Sequence, residues 1–122
     1  MNNMTENTNG SLVISRDVIA TIAYGAAKEV KGVVDVLPVM VDIKGLVTKG
    51  KVGKVFVPAG VSLKENTAEV NLKVIIDDKV KIPAVCAEIQ ESCKSAIQNM
   101  TSIAVSSVNV LVAGIDFDQQ NA

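Results

Sequence analysis

The sequence predicts an α+β fold in which a mixed β-sheet carries two helices packed on one face, in the approximate order β-α-β-β-β-α-β. Three observations lead to this prediction. Apolar residues recur at helical spacing in residues 15–31 and again in residues 82–100. Residues 67–76 alternate between polar and apolar side chains, as a half-buried strand does. A helix with one apolar stripe has to bury it, and a sheet is the partner that this sequence offers.

The first helix is predicted by its cap and by its stripe. Residues 11–14 (SLVI) are expected to form a short strand, and Ser15 then caps a helix that runs to about Lys31 and stops before Gly32. Gly25 lies in mid-helix, where glycine costs about 1 kcal/mol relative to alanine. We therefore interpret Gly25 as a point of close packing.

The middle of the chain has a weaker pattern. Val33–Leu37 is predicted to be a strand that Pro38 ends. In residues 39–59 glycines and a proline interrupt the pattern, so this segment is predicted to be mostly loop, with room for one short strand at residues 54–57.

The remaining elements are a hairpin, the second helix and a last strand. Gly60–Lys64 and residues 67–76 are predicted to form the hairpin, which turns at residues 65–66. Residues 103–117 are predicted to close the chain as a long strand. Its two faces are Val108, Val110 and Val112 on one side and Asn109 and Leu111 on the other.

Composition limits the class of protein. The chain has 122 residues, of which 48% are hydrophobic, and a net charge of −1. Residues 1–9 are polar and are predicted to be a disordered tail, and residues 10–118 are predicted to form one domain. The aromatic residues number only three, so stacking on nucleic-acid bases is disfavoured and no nucleic-acid partner is expected. Neither a signal peptide nor a membrane-spanning stretch is recognisable, which predicts a cytoplasmic protein.

Both cysteines, Cys86 and Cys93, belong to the apolar stripe of the second helix. Their seven-residue separation places the two Cα atoms about 10 Å apart on a helix, which is too far for a disulfide. A zinc site would need further ligands, and the sequence has no other cysteine and no histidine. The thiols are therefore predicted to be buried small side chains, and neither a metal nor a cofactor is expected.

No catalytic constellation is visible. The absence of histidine excludes Ser-His and Cys-His mechanisms. Asp77 and Asp78 lie just before the second helix, where carboxylates can cap it, and Glu88 and Glu91 lie on its polar face. Each carboxylate has a structural explanation, so the protein is not expected to be an enzyme.

A segment rich in lysine and glycine at residues 44–54 allows a different function. Residues 45–52 nearly match the phosphate-binding pattern GxxxxGK[ST], but Val52 replaces the hydroxyl that would bind Mg²⁺. Residues 50–53 also match the GxxG of KH-type RNA-binding domains. The alternative function is therefore a small-molecule, nucleotide or RNA binder. The lysines of this segment either belong to a solvated loop or dock an acidic partner or an anionic lipid surface; they are Lys44, Lys49, Lys51 and Lys54.

Self-association is predicted from the sheet face that two helices cannot cover. Leu111 and Val61 are expected on that uncovered face, and apolar sheet surfaces without cover tend to bind another copy. Leu111 is predicted to be an interaction residue of this face, where a lysine would weaken association without unfolding the domain.

Several motifs together resemble the alkaline shock protein 23, or Gls-type, envelope stress response family of Gram-positive bacteria. The similarity extends over roughly residues 10–117. The motifs are LVIS at 12–15, AAKEVKGV at 26–33, GVSL at 60–63, VKIPAV at 80–85, MTSI at 100–103 and VNVLVAGI at 108–115.

The resemblance implies a non-enzymatic scaffold or interaction protein of the stress response. A protein of this family would be cytoplasmic, lie peripherally at the inner face of the cell membrane and be held there by a separate membrane-anchored partner. It would also self-assemble into homo-oligomers. The resemblance implies no catalytic residues and no cofactor.

Overall fold

The computed structural model describes the backbone of residues 13–48 and 51–117, and the side chains of residues 13–41 and 54–117. Two helices pack on one face of a mixed sheet, which confirms the predicted α+β class. The predicted tail at residues 1–9 lies outside the described residues, and the single domain at residues 10–118 stays a prediction. The elements are α1 (Arg16–Lys28), β1 (Val33–Leu37), β2 (Val39–Thr48), β3 (Lys51–Val57), β4 (Gly60–Lys64), β5 (Thr67–Asp77), α2 (Ile82–Thr101) and β6 (Ala104–Asp116).

Helix α1 begins where the cap predicts. The Ser15 hydroxyl oxygen accepts a hydrogen bond from the Val18 backbone N–H at 3.2 Å. The strand predicted at residues 11–14 is wrong for the part that is described, because residues 13 and 14 have no strand geometry. Val13 is 82% exposed and gains no partner strand there. The interpretation of Gly25 is also wrong within this chain, because a Cβ at that position would meet no atom within 4 Å.

The four-stranded sheet is built around β5. Strand β6 runs parallel to β5 along one edge, and β4 and β1 share the other edge, both antiparallel to β5. Strand β4 pairs with the first half of β5 and β1 pairs with the second half. The chain therefore leaves the sheet after β1 and returns to it at β4.

Strands β2 and β3 form a separate antiparallel hairpin in the excursion between β1 and β4. The prediction that residues 39–59 are mostly loop is therefore wrong, whereas the short strand predicted at residues 54–57 is confirmed as part of β3. Val39 lies opposite Val57 and Met40 lies opposite Phe56, so cross-strand pairs of apolar residues stabilise the base of the hairpin. The pairing register shifts between Ile43 and Val47, and a glycine at position 45 suits such an irregularity.

Helix α2 connects β5 to the parallel strand β6. It begins with Ile82 and Pro83, and its N-cap Lys81 makes no side-chain capping bond. The expected capping by Asp77 and Asp78 is therefore wrong for α2. The Asp77 carboxylate instead accepts a hydrogen bond from the Lys79 backbone N–H at 3.0 Å, which forms the turn before the helix.

The core lies between the helices and the inner face of the sheet. The turn at residues 65–66 sets Val61 opposite Val70, so Val61 also faces the helices and packs against the core. Its predicted place on the uncovered face is wrong. Neither described helix is long and apolar enough to cross a membrane. The principal buried side chains are Ile19, Ala23 and Ala27 of α1, Val70, Leu72, Val74 and Ile76 of β5, and Val85, Ile89, Cys93 and Ile97 of α2.

Candidate interaction surface

The side of the sheet opposite the helices has no covering element among the described residues, and we call it the open face. It is formed by alternate residues of β5 and β6, because successive side chains of a strand point to opposite faces. The parallel register places these residues in rows across the two strands. The rows are Glu69 with Ser107, Asn71 with Asn109, and Lys73 with Leu111.

Leu111 and Met40 form the apolar part of the open face. Leu111 is 60% exposed and Met40 is 54% exposed, although both side chains are large and hydrophobic. They line the same shallow depression of about 410 Å³, together with Asn71, Lys73 and Asn109. The first residues of β2 therefore extend the apolar surface of the sheet sideways from Leu111.

Phe56 extends this apolar surface onto the hairpin. It lies directly opposite Met40 in the β2–β3 ladder and is 68% exposed. Side chains of directly opposed residues share one side of an antiparallel pair. Leu111, Met40 and Phe56 consequently form a series of exposed apolar groups, which we call the apolar strip.

A hydrogen-bonded polar row lies beside the apolar strip. The Asn109 side-chain amide donates to the Asn71 side-chain oxygen at 2.9 Å and to the Glu69 carboxylate at 3.0 Å. These bonds join β5 and β6 on the open face. They also hold three polar side chains in fixed positions, which favours a specific contact over an unspecific hydrophobic one.

The two cysteines lie in the helix stripe, as predicted. Cys93 is fully buried, and burial raises the pKa of its thiol from 9.0 to about 11. Burial also raises the pKa of the half-buried Cys86. Both thiols are free. A raised pKa lowers the thiolate fraction at neutral pH, so neither cysteine is prepared for nucleophilic chemistry.

No cluster of three or more potential metal ligands occurs within residues 13–48 and 51–117. Helix α2 carries both cysteines together with Glu88 and Glu91, but these side chains do not converge on one point. The candidate features of the described residues are therefore the exposed surfaces.

The lysine-rich segment at residues 44–54 lies on the β2–β3 hairpin. Lys49 is outside the described residues, and the side chains of Lys44 and Lys51 are too. Lys54 is exposed and lies opposite Asp42 in the ladder. A strand follows the P-loop-like residues 45–52, so no helix N-terminus is available there for a phosphate. Binding of a nucleotide, RNA, an acidic partner or a lipid by this segment stays a prediction.

Of the predicted interaction residues, Leu111 is the one that the structure places within a defined surface. Sequence reasoning missed Met40 and Phe56, which complete the apolar strip. The alternation of Val39, Val41 and Ile43 with residues 40 and 42 is typical of a strand. The glycines that follow instead indicate a loop, so the sequence pattern did not predict this strand.

Three comparisons relate the chain to known proteins. The sequence profile of the alkaline shock protein 23 family, described as having a cell envelope-related function, matches residues 4–117. The uncharacterized protein YqhY of Bacillus subtilis (strain 168) is 32% identical over 113 residues, which cover 89% of this chain and 79% of that protein. These matches confirm the resemblance that the sequence motifs indicated.

Among solved structures, the chain is similar in fold to the MamM CTD. A variant of that domain superposes with a TM-score of 0.50 at 13% identity, covering 84% of this chain and 100% of the domain. A second MamM CTD structure gives a TM-score of 0.49 at 13% identity, covering 82% and 99%. At this level of identity the likeness concerns the fold alone.

Proposed function

Because this chain belongs to the alkaline shock protein 23 family, whose function is cell envelope-related, we propose that it is a non-enzymatic scaffold that self-assembles through its open face. The proposal includes a cytoplasmic location at the inner face of the cell membrane, where a separate membrane-anchored partner would hold the scaffold. The observation that carries it is the apolar strip of Leu111, Met40 and Phe56, three large hydrophobic side chains that are each more than half exposed.

The apolar strip supports association because its burial is favourable. Removing apolar surface from water stabilises a complex by roughly 25 cal/mol per Å². Contiguous apolar surface on a folded chain commonly marks a contact with another protein. Leu111 lies directly beside Lys73 on the neighbouring strand, so the apolar strip borders charged and polar groups. These groups can select one partner and one orientation.

A second copy fits the open face because the charges of β5 are self-complementary. Glu69 and Lys73 flank Asn71 symmetrically on the same face and lie about 13 Å apart along the strand. Two sheets that meet face to face about a twofold axis across the Asn71–Asn109 row would bring Glu69 of one copy over Lys73 of the other. The contact would be isologous, so it would form this ion pair twice.

The described residues also support a binding role in preference to catalysis. Burial raises the pKa of both thiols, so neither is a ready nucleophile, and the Asp77 carboxylate accepts the hydrogen bond that forms the turn before α2. The Glu69 carboxylate accepts a hydrogen bond from the Asn109 side-chain amide, which fixes both side chains on the open face.

A charge-exchange experiment tests this proposal. Glu69→Lys and Lys73→Glu should each weaken dimer formation by about tenfold, because each places like charges opposite one another. The double variant Glu69→Lys/Lys73→Glu should recover the affinity of the original chain, because the two ion pairs re-form with reversed sign. Analytical ultracentrifugation measures the dissociation constant of each protein, and circular dichroism verifies that the variants fold. Equal affinities for the original chain and all its variants would refute face-to-face assembly about this axis.

A further inference from the structure

A second surface, the groove between α1 and α2, is not used by the proposed self-assembly. It lies on the opposite side of the molecule from the open face and has a volume of about 700 Å³. Small side chains from both helices line most of it, and Met100 stands exposed at one end, 71% accessible. The lining residues that matter here are Ile22, Gly25 and Ala26 of α1, and Ser92, Ala96 and Met100 of α2.

Gly25 has no packing role inside this chain. A Cβ at position 25 would meet nothing within 4 Å, and the residue lies in the middle of α1 in an exposed part of the groove. Glycine at such a position lowers helix stability relative to alanine. A glycine that faces open space between two helices leaves room for the backbone of a third helix to approach closely.

The charges of the groove select the class of occupant. Glu29, the C-cap residue of α1, and Glu88 of α2 are the charged residues that line the groove. Neither carboxylate forms an ion pair with another residue in the described part of the chain. An occupant with lysine or arginine beside its apolar stripe would neutralise both of them.

The same charges disfavour the occupants that this chain could supply. Two copies meeting groove to groove would place Glu29 and Glu88 of one copy against those of the other, because a twofold contact brings identical surfaces together. Residues 1–12, which precede α1, contain Glu6 but no lysine or arginine. Neither arrangement gives the groove a complementary charge.

We propose that the interhelix groove binds an amphipathic helix of another protein, with an apolar stripe on its inner side and basic residues along its flanks. The small residues Gly25, Ala26 and Ala96 leave room for the backbone of the bound helix. The flexible side chain of Met100 adapts to the apolar residues of that helix, and Glu29 and Glu88 form ion pairs with its basic residues. This is the helix-in-groove mode of peptide recognition. It does not depend on self-assembly through the open face.

Selection from a phage-displayed library of random 16-residue peptides tests the proposal. The immobilised bait is the full chain, and an excess of soluble Gly25→Leu protein removes peptides that bind elsewhere. A Cβ at position 25 meets no atom within 4 Å, and a leucine there would extend into the open groove, so the variant should fold, which circular dichroism verifies. We expect the surviving peptides to share apolar residues at three- and four-residue spacing, flanked by lysine or arginine.

A synthetic peptide with a selected sequence then tests whether the two glutamates of the groove contribute to binding. Its dissociation constant, measured by fluorescence anisotropy, should rise at least about fivefold for Glu29→Lys/Glu88→Lys. Glu91→Lys makes the same substitution at one exposed carboxylate of α2 outside the groove, and this control should leave binding unchanged.

Three results would overturn the assignment. The first is a selection that yields no peptide able to distinguish the original chain from Gly25→Leu. The second is a set of peptides that lack basic residues or that bind the double lysine variant as tightly as the original chain. The third is loss of self-association in Glu29→Lys/Glu88→Lys, which would show that the groove holds a second copy.

Discussion

The thiol of Cys93 on α2 lies 3.4 Å from the backbone oxygen of Ala23 on α1 and donates a hydrogen bond to it. Both residues are fully buried, so the contact joins the two helices at the centre of their interface. The small side chains let the helices approach closely, and the weak bond satisfies a thiol that has no access to water. The role of Cys93 is therefore to hold the helix pair together.

Cys93→Ala should lower the free energy of unfolding by about 1–2 kcal/mol, because it leaves a small cavity and removes the bond to Ala23. Cys86→Ala should cost less, because Cys86 is only half-buried. Urea unfolding followed by circular dichroism measures both values. A larger loss for Cys86→Ala than for Cys93→Ala would contradict this description of the helix interface.

The stability that depends on Cys93 should vary with pH in the alkaline range. Burial raises the thiol pKa from 9.0 to about 11 in the folded chain, so the folded state retains its proton more strongly than the unfolded state does. The contribution of the neutral thiol is complete below pH 9 and is lost as the pH rises from 9 toward 11.

The measurement is urea unfolding of the original chain and of Cys93→Ala, below pH 9 and again near pH 11. The stability difference between the two proteins should shrink at the higher pH, because only the original chain carries the buried thiol. Other groups titrate in both proteins and cancel in the comparison. A difference that stays constant over this range would mean that the Cys93 pKa is not raised.

Gly32→Ala should destabilise the protein by about 1–3 kcal/mol. Gly32 has a backbone φ of +101°, which residues other than glycine rarely adopt. A Cβ at this position would also lie 3.1 Å from the Val85 side chain and 3.2 Å from the Val80 side chain. Thermal and urea unfolding measure the loss. An alanine variant as stable as the original chain would show that this turn relaxes more easily than its contacts indicate.

Gly25→Ala should have the opposite effect and stabilise the chain by up to about 1 kcal/mol. The added methyl group meets no other atom and improves the helix propensity of α1. The same unfolding measurement applies, with Gly32→Ala as the comparison at a constrained glycine. Destabilisation by Gly25→Ala would reveal an internal contact for this position and remove one support of the groove proposal.

Local signals predicted the helices and the long strands correctly. Ser15 caps α1, the stripe through Cys93 marks α2, and alternation marks β5 and β6, because each pattern reflects a neighbour or a face that is close in sequence. The hairpin of β2 and β3 was missed for the opposite reason. Its glycines indicate a loop, whereas the pairing of Met40 with Phe56 depends on contacts across sixteen positions of the chain.

The candidate surface was predicted only in part. Leu111 follows from the alternation of β6, and the structure places it on the open face. Val61 was misplaced, although counting back from the two-residue turn pairs it with Val70 and so turns it to the core. Met40 could not be assigned to the same surface, because its position beside Asn71 depends on where the chain leaves the sheet after β1.

The measurement that tests self-assembly most directly is sedimentation over a hundredfold concentration range for the original chain, Leu111→Lys and Met100→Lys. Leu111 and Met100 are both highly exposed, so neither substitution should unfold the protein. Met100→Lys is the matched control on the helix side. We expect dimers or larger species at micromolar concentration for the original chain and for Met100→Lys, and much weaker association for Leu111→Lys, because a lysine would have to be desolvated in the apolar strip. A monomer at every concentration for all three proteins, or association that Leu111→Lys leaves unchanged, would contradict self-assembly through the open face.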